Sequence, residues 1–187
     1  ASPLYRQRVF SVLDFSHNSN NERMELWRAN VWMFKDYPIL GIGLNDNERR
    51  TEEYNIKHGY PDAQVGNAHN TYLQWLSGTG ILGLTAFLAF IGFYLWLTVR
   101  LWKVIPPDQV WHRTVVLGAL GAQVAVHVGG LTDCNFKDAE VQHQYIAILG
   151  LLSYLRFHYF IEGAASEVKG SAKIANAPTE QLASGNA

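Results

Sequence analysis

His69 and Asn70 stand in the run Ala68-His69-Asn70-Thr71-Tyr72-Leu73-Gln74-Trp75-Leu76, which reads as a turn entering a helix with Tyr72, Leu73 and Leu76 on one side. The start of a helix offers unpaired N–H groups and the positive end of its dipole, so a phosphate could be received there. Histidine is the side chain whose neutral ring takes up protons near pH 7, and its charged ring can hold an anion. The sequence leaves both roles open for His69, beside the commoner one of a structural hydrogen-bond donor. His127 is a second candidate because it lies in an apolar stretch, where an ionisable group is costly. Asp133, Asp138 and Glu140 cluster in one short segment, but without a cation-coordinating spacing. Cys134 is the only cysteine, which excludes an internal disulfide and a cysteine-based zinc site and leaves an inert thiol as its reading. No Gly-x-x-x-x-Gly-Lys loop and no Gly-x-Ser-x-Gly turn is present, so nucleotide hydrolysis and serine acyl transfer have no support.

These residues need elements to hold them, and the charge pattern says where those elements are. Lys+Arg 15 against Asp+Glu 16 gives a net charge of -1 over 187 residues, which excludes nucleic-acid binding driven by bulk charge. Gly80 to Val99 contains no Asp, Glu, Lys or Arg. At ~1.5 Å rise per residue it is long enough to cross a hydrocarbon core of ~30 Å. Thr114 to Thr132 carries only His127 as an ionisable group and is spaced by Gly118, Gly121, Gly129 and Gly130, which permit close helix packing. Val141 to Ile161 is interrupted by Arg156 and histidines, and an interfacial helix is the alternative to a span there.

The reading is therefore all-α: a polytopic inner-membrane protein fragment with three transmembrane helices over residues 80–161. Arg100, Lys103 and Arg113 against Asp108 place the first connection in the cytoplasm. Residues 1–79 and the acidic connection Asp133 to Glu140 then lie on the periplasmic side. Tyr94, Trp96, Trp102 and Trp111 suit part of an aromatic belt at the inner interface. Residues 162–187, rich in Ala, Ser, Gly and Asn, read as a disordered cytoplasmic tail. The polar start without Met reads as the C-terminal piece of a longer protein.

Within residues 1–79, Ser19-Asn20-Asn21-Glu22 matches a capping box, which predicts a helix from about Asn20. Met24, Trp27, Val31 and Phe34 recur at helical spacing as its packing stripe, and Pro38 ends it. Gly41-Ile42-Gly43 predicts a corner, and Leu44 to Asn67 a mobile flap around a short helix near Glu48 to Lys57.

Asn21-Glu-Arg-Met-Glu-Leu-Trp27-Arg28, then Asp36-Tyr-Pro38-Ile-Leu-Gly41-Ile-Gly43, then Ala68-His69-Asn70-Thr-Tyr72-Leu73-Gln74 and Gly80-Ile-Leu-Gly83-Leu form an ordered set. Together they resemble the O-antigen ligase and Wzy-type polymerase superfamily over roughly Arg23 to Leu84. The piece Gly130 to Val141 looks like a later outward loop of its members. The resemblance implies a multi-span inner-membrane enzyme of lipopolysaccharide or surface-polysaccharide assembly. Such an enzyme moves a glycan from undecaprenyl pyrophosphate to an acceptor hydroxyl, without metal or other cofactor, beside a large periplasmic loop. Where the family usually has an acidic residue, this chain has Ser77-Gly78-Thr79.

That chemistry assigns expected roles. A pyrophosphate leaving group needs cationic stabilisation more than protonation, which an arginine fork supplies. Arg23 matches the family's recurrent arginine best, and Arg28, five residues on, points ~140° away on the same helix. His69 becomes the base for the acceptor hydroxyl or a phosphate ligand, and Asn70 and Tyr72 position substrate or loop. His127, Asp133 and Glu140 remain weaker candidates, and no metal site is expected. The implied partners are the undecaprenyl-pyrophosphate-linked glycan, lipid A core or a growing glycan as acceptor, and membrane lipid, with no nucleic acid. A polymerase or a protein O-glycan ligase would use the same donor. From other classes, a transporter of small anions lined by His127 and Arg156, or a non-catalytic assembly subunit, competes.

Overall fold

In a computed structural model of the chain, residues 18–162 are described, and among them every regular element is helical. Helix α1 covers Asn18–Asp36, α2 Asp46–Arg49, α3 Thr51–Lys57, α4 Thr71–Val104, α5 Val110–Gly129 and α6 Ala139–Arg156. A 3-10 turn lies at Asn135–Lys137, and a π-helical segment, Phe157–Glu162, follows α6. The tail expected over 162–187 falls outside the described residues from position 163 onward. The chain forms two compact units, whose described parts are 18–93 with 122–145, and 94–121 with 146–162.

In the first unit, α1 begins at Asn18, slightly ahead of the expected start. Its buried stripe is Leu26, Ala29, Asn30 and Met33, whereas Met24 and Val31 of the expected stripe are exposed. The reason is that a polar residue, Asn30, belongs to the inward face. Ala29 and Met33 pack with buried Tyr54 of α3, flanked by Trp32 and Ile42. The expected mobile flap is thus docked on α1. Thr51 Oγ1 lies 3.0 Å from the carbonyls of both Asn47 and Gly66, and Asn55 Nδ2 donates to the carbonyl of Gln64 at 2.9 Å. Asp36 ties α3 to the end of α1, accepting from Lys57 Nζ at 2.7 Å and Tyr54 Oη at 3.0 Å. These bonds, Lys57 first, hold the Asp36 carboxyl below its usual range. Burial and the Asp36 carboxylate push the Tyr54 hydroxyl up to about 12.

A buried polar knot joins α1, α2 and α4. Asn47 Nδ2 donates to Ser77 Oγ at 2.7 Å and to the Gln74 carbonyl at 2.9 Å, while Asn47 Oδ1 accepts from Gln74 Nε2 at 3.0 Å. Ser77 Oγ donates to Asn30 Oδ1 at 2.6 Å, and Asn30 Nδ2 donates to the Leu26 carbonyl at 2.8 Å. Asn30, Asn47, Gln74 and Ser77 are all buried.

Helix α4 is broken at Gly80, whose φ of 66° and ψ of -168° are not helical. A continuous helix would pair the N–H groups of Ile81 and Leu82 with the carbonyls of Ser77 and Gly78. Here both pairs are exchanged with the segment 38–43. Ile42 and Gly43 donate to the carbonyls of Ser77 and Gly78 at 3.0 and 2.9 Å, and Ile81 and Leu82 donate to those of Pro38 and Ile39 at 2.9 and 3.4 Å. This backbone clasp needs glycine on both sides. Gly41 has a φ of 70°, and a Cβ there would come within 2.3 Å of Gly78 and Thr79; a Cβ on Gly80 would come within 2.3 Å of the Ile39 carbonyl.

By length and composition, α4 is long and apolar enough to cross a membrane, and among the described residues no other helix is. The other two stretches expected to span are helical, over 20 and 18 residues. Arg113, Gln123 and His127 dilute the apolar character of α5, and Glu140, Gln142, His143, Gln144 and Arg156 that of α6. In the second unit Leu97, Leu101, Val116, Leu149 and Leu152 are buried. The α4–α5 connection is pinned by Arg113, whose guanidinium donates to the Ile105 carbonyl at 3.0 Å and lies 4.0 Å from the Trp102 ring centroid.

The clasp generates a contrast between two glycines. Gly80→Ala adds a side chain at positive φ against backbone and should cost at least about 1–3 kcal/mol. Helical Gly92, with nothing within 4 Å of a built Cβ, should accept Ala with a gain of up to about 1 kcal/mol. Melting of the full chain in detergent, followed by tryptophan fluorescence, should separate the two in opposite directions. Equal melting temperatures would mean that the clasp does not hold the break.

Candidate functional site

The knot continues directly into the predicted histidine. Gln74 Oε1 accepts the Ala68 N–H at 2.9 Å, and the Ala68 carbonyl accepts from Trp27 Nε1 at 2.8 Å, so the peptide before His69 is held from two helices. His69 itself has a φ of 43°, with its N–H on Asn67 Oδ1 at 2.8 Å. Positive φ is uncommon for a residue other than glycine and persists where the surroundings over-determine it.

Asn70 follows as the cap of α4: its Oδ1 accepts the Leu73 N–H at 2.9 Å. Its Nδ2 donates to the Leu131 carbonyl at 3.0 Å. Thr71 completes the tie, its N–H donating to the Gly130 carbonyl at 2.7 Å and its hydroxyl to the Asp133 carbonyl at 3.0 Å. The start of α4 therefore carries the 130–135 loop. That attachment brings Asp133 Oδ1 to 3.3 Å from His69 Nδ1, and the same oxygen accepts the Cys134 N–H at 2.8 Å.

Arg23 of α1 and His69 line one cleft of about 400 Å³, together with Glu22, Glu48, Gln64 and Asn67. Among the described residues Arg23 has no hydrogen-bond or ion-pair partner, so its guanidinium fork is available to a ligand. Glu48 is engaged by Lys137 Nζ, which screens its charge. Gln64, at the mouth, donates its N–H to Glu25 Oε2 at 2.9 Å. A cleft holding an unpaired arginine and a histidine oriented by a carboxylate can bind an anion and accept a proton from a neighbouring hydroxyl.

The other predicted residues lie elsewhere. Arg28 stacks its guanidinium over Tyr60 at 4.5 Å and does not line this cleft. Tyr72 Oη donates to the His127 carbonyl at 2.9 Å, a tie between α4 and α5. His127 Nε2 pairs with Tyr145 Oη at 2.7 Å, and its ring stacks on Phe136. Asp138 and Glu140 are exposed, and among the described residues no three His, Cys, Asp or Glu side chains are placed to hold a metal ion. Cys134 is buried, and that burial pushes its thiol up, away from the reactive thiolate.

Sequence reasoning had placed Asp133 with other acids and missed it as the partner of His69, because the pairing rests on backbone bonds between Thr71 and a distant loop. Glu48 and Lys137 gave no signal at all. No curated protein and no solved structure matches the chain. Residues 2–88, which hold Arg23, the Gly80 break and His69, match the family model described as O-antigen ligase, over the stretch whose motifs carry the resemblance, and the match supports a role in O-antigen and polysaccharide assembly.

Proposed function

We propose that this chain is part of a membrane glycosyltransferase that moves a glycan from a polyprenyl pyrophosphate, undecaprenyl pyrophosphate by the resemblance, to an acceptor hydroxyl such as one on lipid A core. The observation that carries this reading is the cleft that unites unpaired Arg23 with His69 and Asp133 behind it. Its chemistry follows from the residues. Asp133 accepts the Nδ1–H of His69 and so fixes the tautomer whose Nε2 lone pair is free. That nitrogen takes the proton of the acceptor hydroxyl as its oxygen bonds to the anomeric carbon. The bond from that carbon to the pyrophosphate oxygen breaks, and the negative charge released lies on the lipid pyrophosphate, where Arg23 holds it. A polymerase differs only in taking a growing glycan as acceptor, and a protein O-glycan ligase in taking a protein hydroxyl.

The same reading sets the chain in the bacterial inner membrane with α4, α5 and α6 crossing it, residues 1–79 as a periplasmic domain and the 162–187 tail in the cytoplasm. The direct bonds from Thr71 to Gly130 and Asp133 support one side for both outward segments. Arg100, Lys103 and Arg113 near the opposite connection support the cytoplasm for it.

In a transfer assay with the full-length membrane protein, a polyprenyl-pyrophosphate-linked glycan and lipid A core, His69→Ala should lower turnover by about 10²–10⁴-fold at unchanged membrane abundance. Asp133→Asn should lower kcat with little change in donor KM, since it disturbs orientation rather than charge binding. Arg23→Lys keeps the charge but loses the fork, and should raise donor KM. Wild-type rates in His69→Ala would rule out the base role. Glycan on lipid A core identifies a ligase, longer chains on the carrier a polymerase, and no transfer by wild type, with anion flux that depends on residues inside the spans, a transporter.

Topology is tested separately by thiol labelling in intact cells with a membrane-impermeant maleimide. Asp62→Cys, exposed in the segment after α3, should label from outside, and Asp108→Cys only after permeabilisation. Buried Cys134 gives little background. Labelling of both from outside would overturn the arrangement.

A further inference from the structure

A second cleft, of about 300 Å³, opens in the same unit against the first. Leu44, Asn45, Trp75, Phe136, Lys137 and Gln142 line it, so it mixes aromatic faces with amides and one cation. The linings of the two clefts meet at a single ion pair: Glu48 belongs to the first, Lys137 to the second. They meet also along the chain, since His69 lines the first and Thr71 the second.

The composition of this lining is that of a sugar site. Pyranose rings present apolar C–H faces rimmed by hydroxyls, and proteins take them with an aromatic plane and nearby amide groups. Trp75 is half-buried and rigid, because one face is stacked on buried Phe87 with centroids 4.5 Å apart and planes 6° apart. Gln142 Nε2 is held by the Phe136 carbonyl at 2.7 Å, which leaves its Oε1 as an acceptor. Asn45, at a φ of 72°, makes no side-chain cap to α2, so its amide is available. In a displacement at an anomeric carbon, the attacking hydroxyl approaches from the side opposite the leaving group. With the pyrophosphate on Arg23, the acceptor approaches from the side away from that arginine, and the neighbouring cleft, joined to the first through Glu48–Lys137 and through residues 69–71, is the space next to it.

We propose that this second cleft binds the acceptor saccharide, with Trp75 as its stacking plane, Asn45 and Gln142 as its hydroxyl partners, and the Glu48–Lys137 pair as the partition beside which its hydroxyl reaches His69. The proposal rests on the transfer reading above and assigns its acceptor side.

The test is direct binding of delipidated lipopolysaccharide core oligosaccharide to the full-chain protein in detergent, by saturation-transfer NMR, with turnover measured in parallel. Wild type should bind it, and inorganic pyrophosphate should not displace it. The double variant Asn45→Ala/Gln142→Ala should weaken binding about tenfold or more, the loss of one or two hydrogen bonds. Trp75→Phe, which keeps the stack on Phe87, should weaken it less. In turnover, the double variant should raise acceptor KM and leave donor KM unchanged. Absence of binding by wild type, equal affinity in wild type and double variant, or displacement by pyrophosphate would overturn the proposal. Binding that follows these variants while wild type transfers no glycan would support the saccharide cleft and count against the transfer reading instead.

Discussion

The buried knot of Asn30, Asn47, Gln74 and Ser77 is the constraint on which the rest of the first unit depends. Side-chain amides without partners are costly away from water, and a network of them tolerates one arrangement in which every donor and acceptor is used. Here that arrangement is reached: the Asn47 amide protons take Ser77 Oγ and the Gln74 carbonyl, and its oxygen takes Gln74 Nε2 and the Glu48 N–H. An apolar interface of equal size would let α1, α2 and α4 slide or rotate by small steps. The knot does not, because any shift orphans several groups at once. Its outermost bond, Gln74 Oε1 to the Ala68 N–H, passes that registry to His69.

The second constraint is the clasp at Gly80. A break in a helix frees carbonyls and N–H groups, and Gly80, where it occurs, is buried, so the break requires a substitute partner. Segment 38–43 supplies it by exchanging bonds in pairs, two in each direction. The consequence is positional. Residues 71–79 form a helical piece set off from the apolar part of α4 by the break at Gly80, and the 130–135 loop is fastened to their start by Thr71 and Asn70. Knot and clasp share Ser77, whose hydroxyl serves the first and whose carbonyl serves the second. One residue thus couples the geometry around His69 to the way the chain enters the apolar part of α4.

Which parts of this were legible in the sequence follows from the same physics. The long apolar run, the helix ending near Pro38 and the turn before Thr71 were readable because hydropathy, proline and capping chemistry act locally. The stripe of α1 was misread, since periodicity counts apolar residues and the true inward face includes Asn30. In residues 71–79 the buried side chains are likewise polar, Thr71, Gln74 and Ser77, while Tyr72, Leu73 and Leu76 are half-buried. The contacts of the flap were not legible, because its anchors, Asn47, Thr51 and Asn55, are polar residues that composition assigns to solvent. Arg23 and His69 as candidates came from motif and helix-start chemistry. The partner of His69 did not, because Asp133 reaches it only through contacts distant in sequence.

The ion pair of Glu48 and Lys137 gives the candidate site its electrostatic sense. A carboxylate in a cleft wall weakens the hold of that cleft on any anion, and Glu48 faces the same space as Arg23. Lys137 offsets that carboxylate from the far side, and it rides on the 3-10 turn that Thr71 and Asn135 hold against α4. The anion affinity of the first cleft is therefore set in part by a residue that belongs to the second. Lys137 is exposed and Glu48 half-buried, so solvent screens part of this attraction, and a movement of the 135–137 turn away from Glu48 would leave the carboxylate without this partner in the wall beside Arg23. The walls of the two clefts are in this way linked through one lysine.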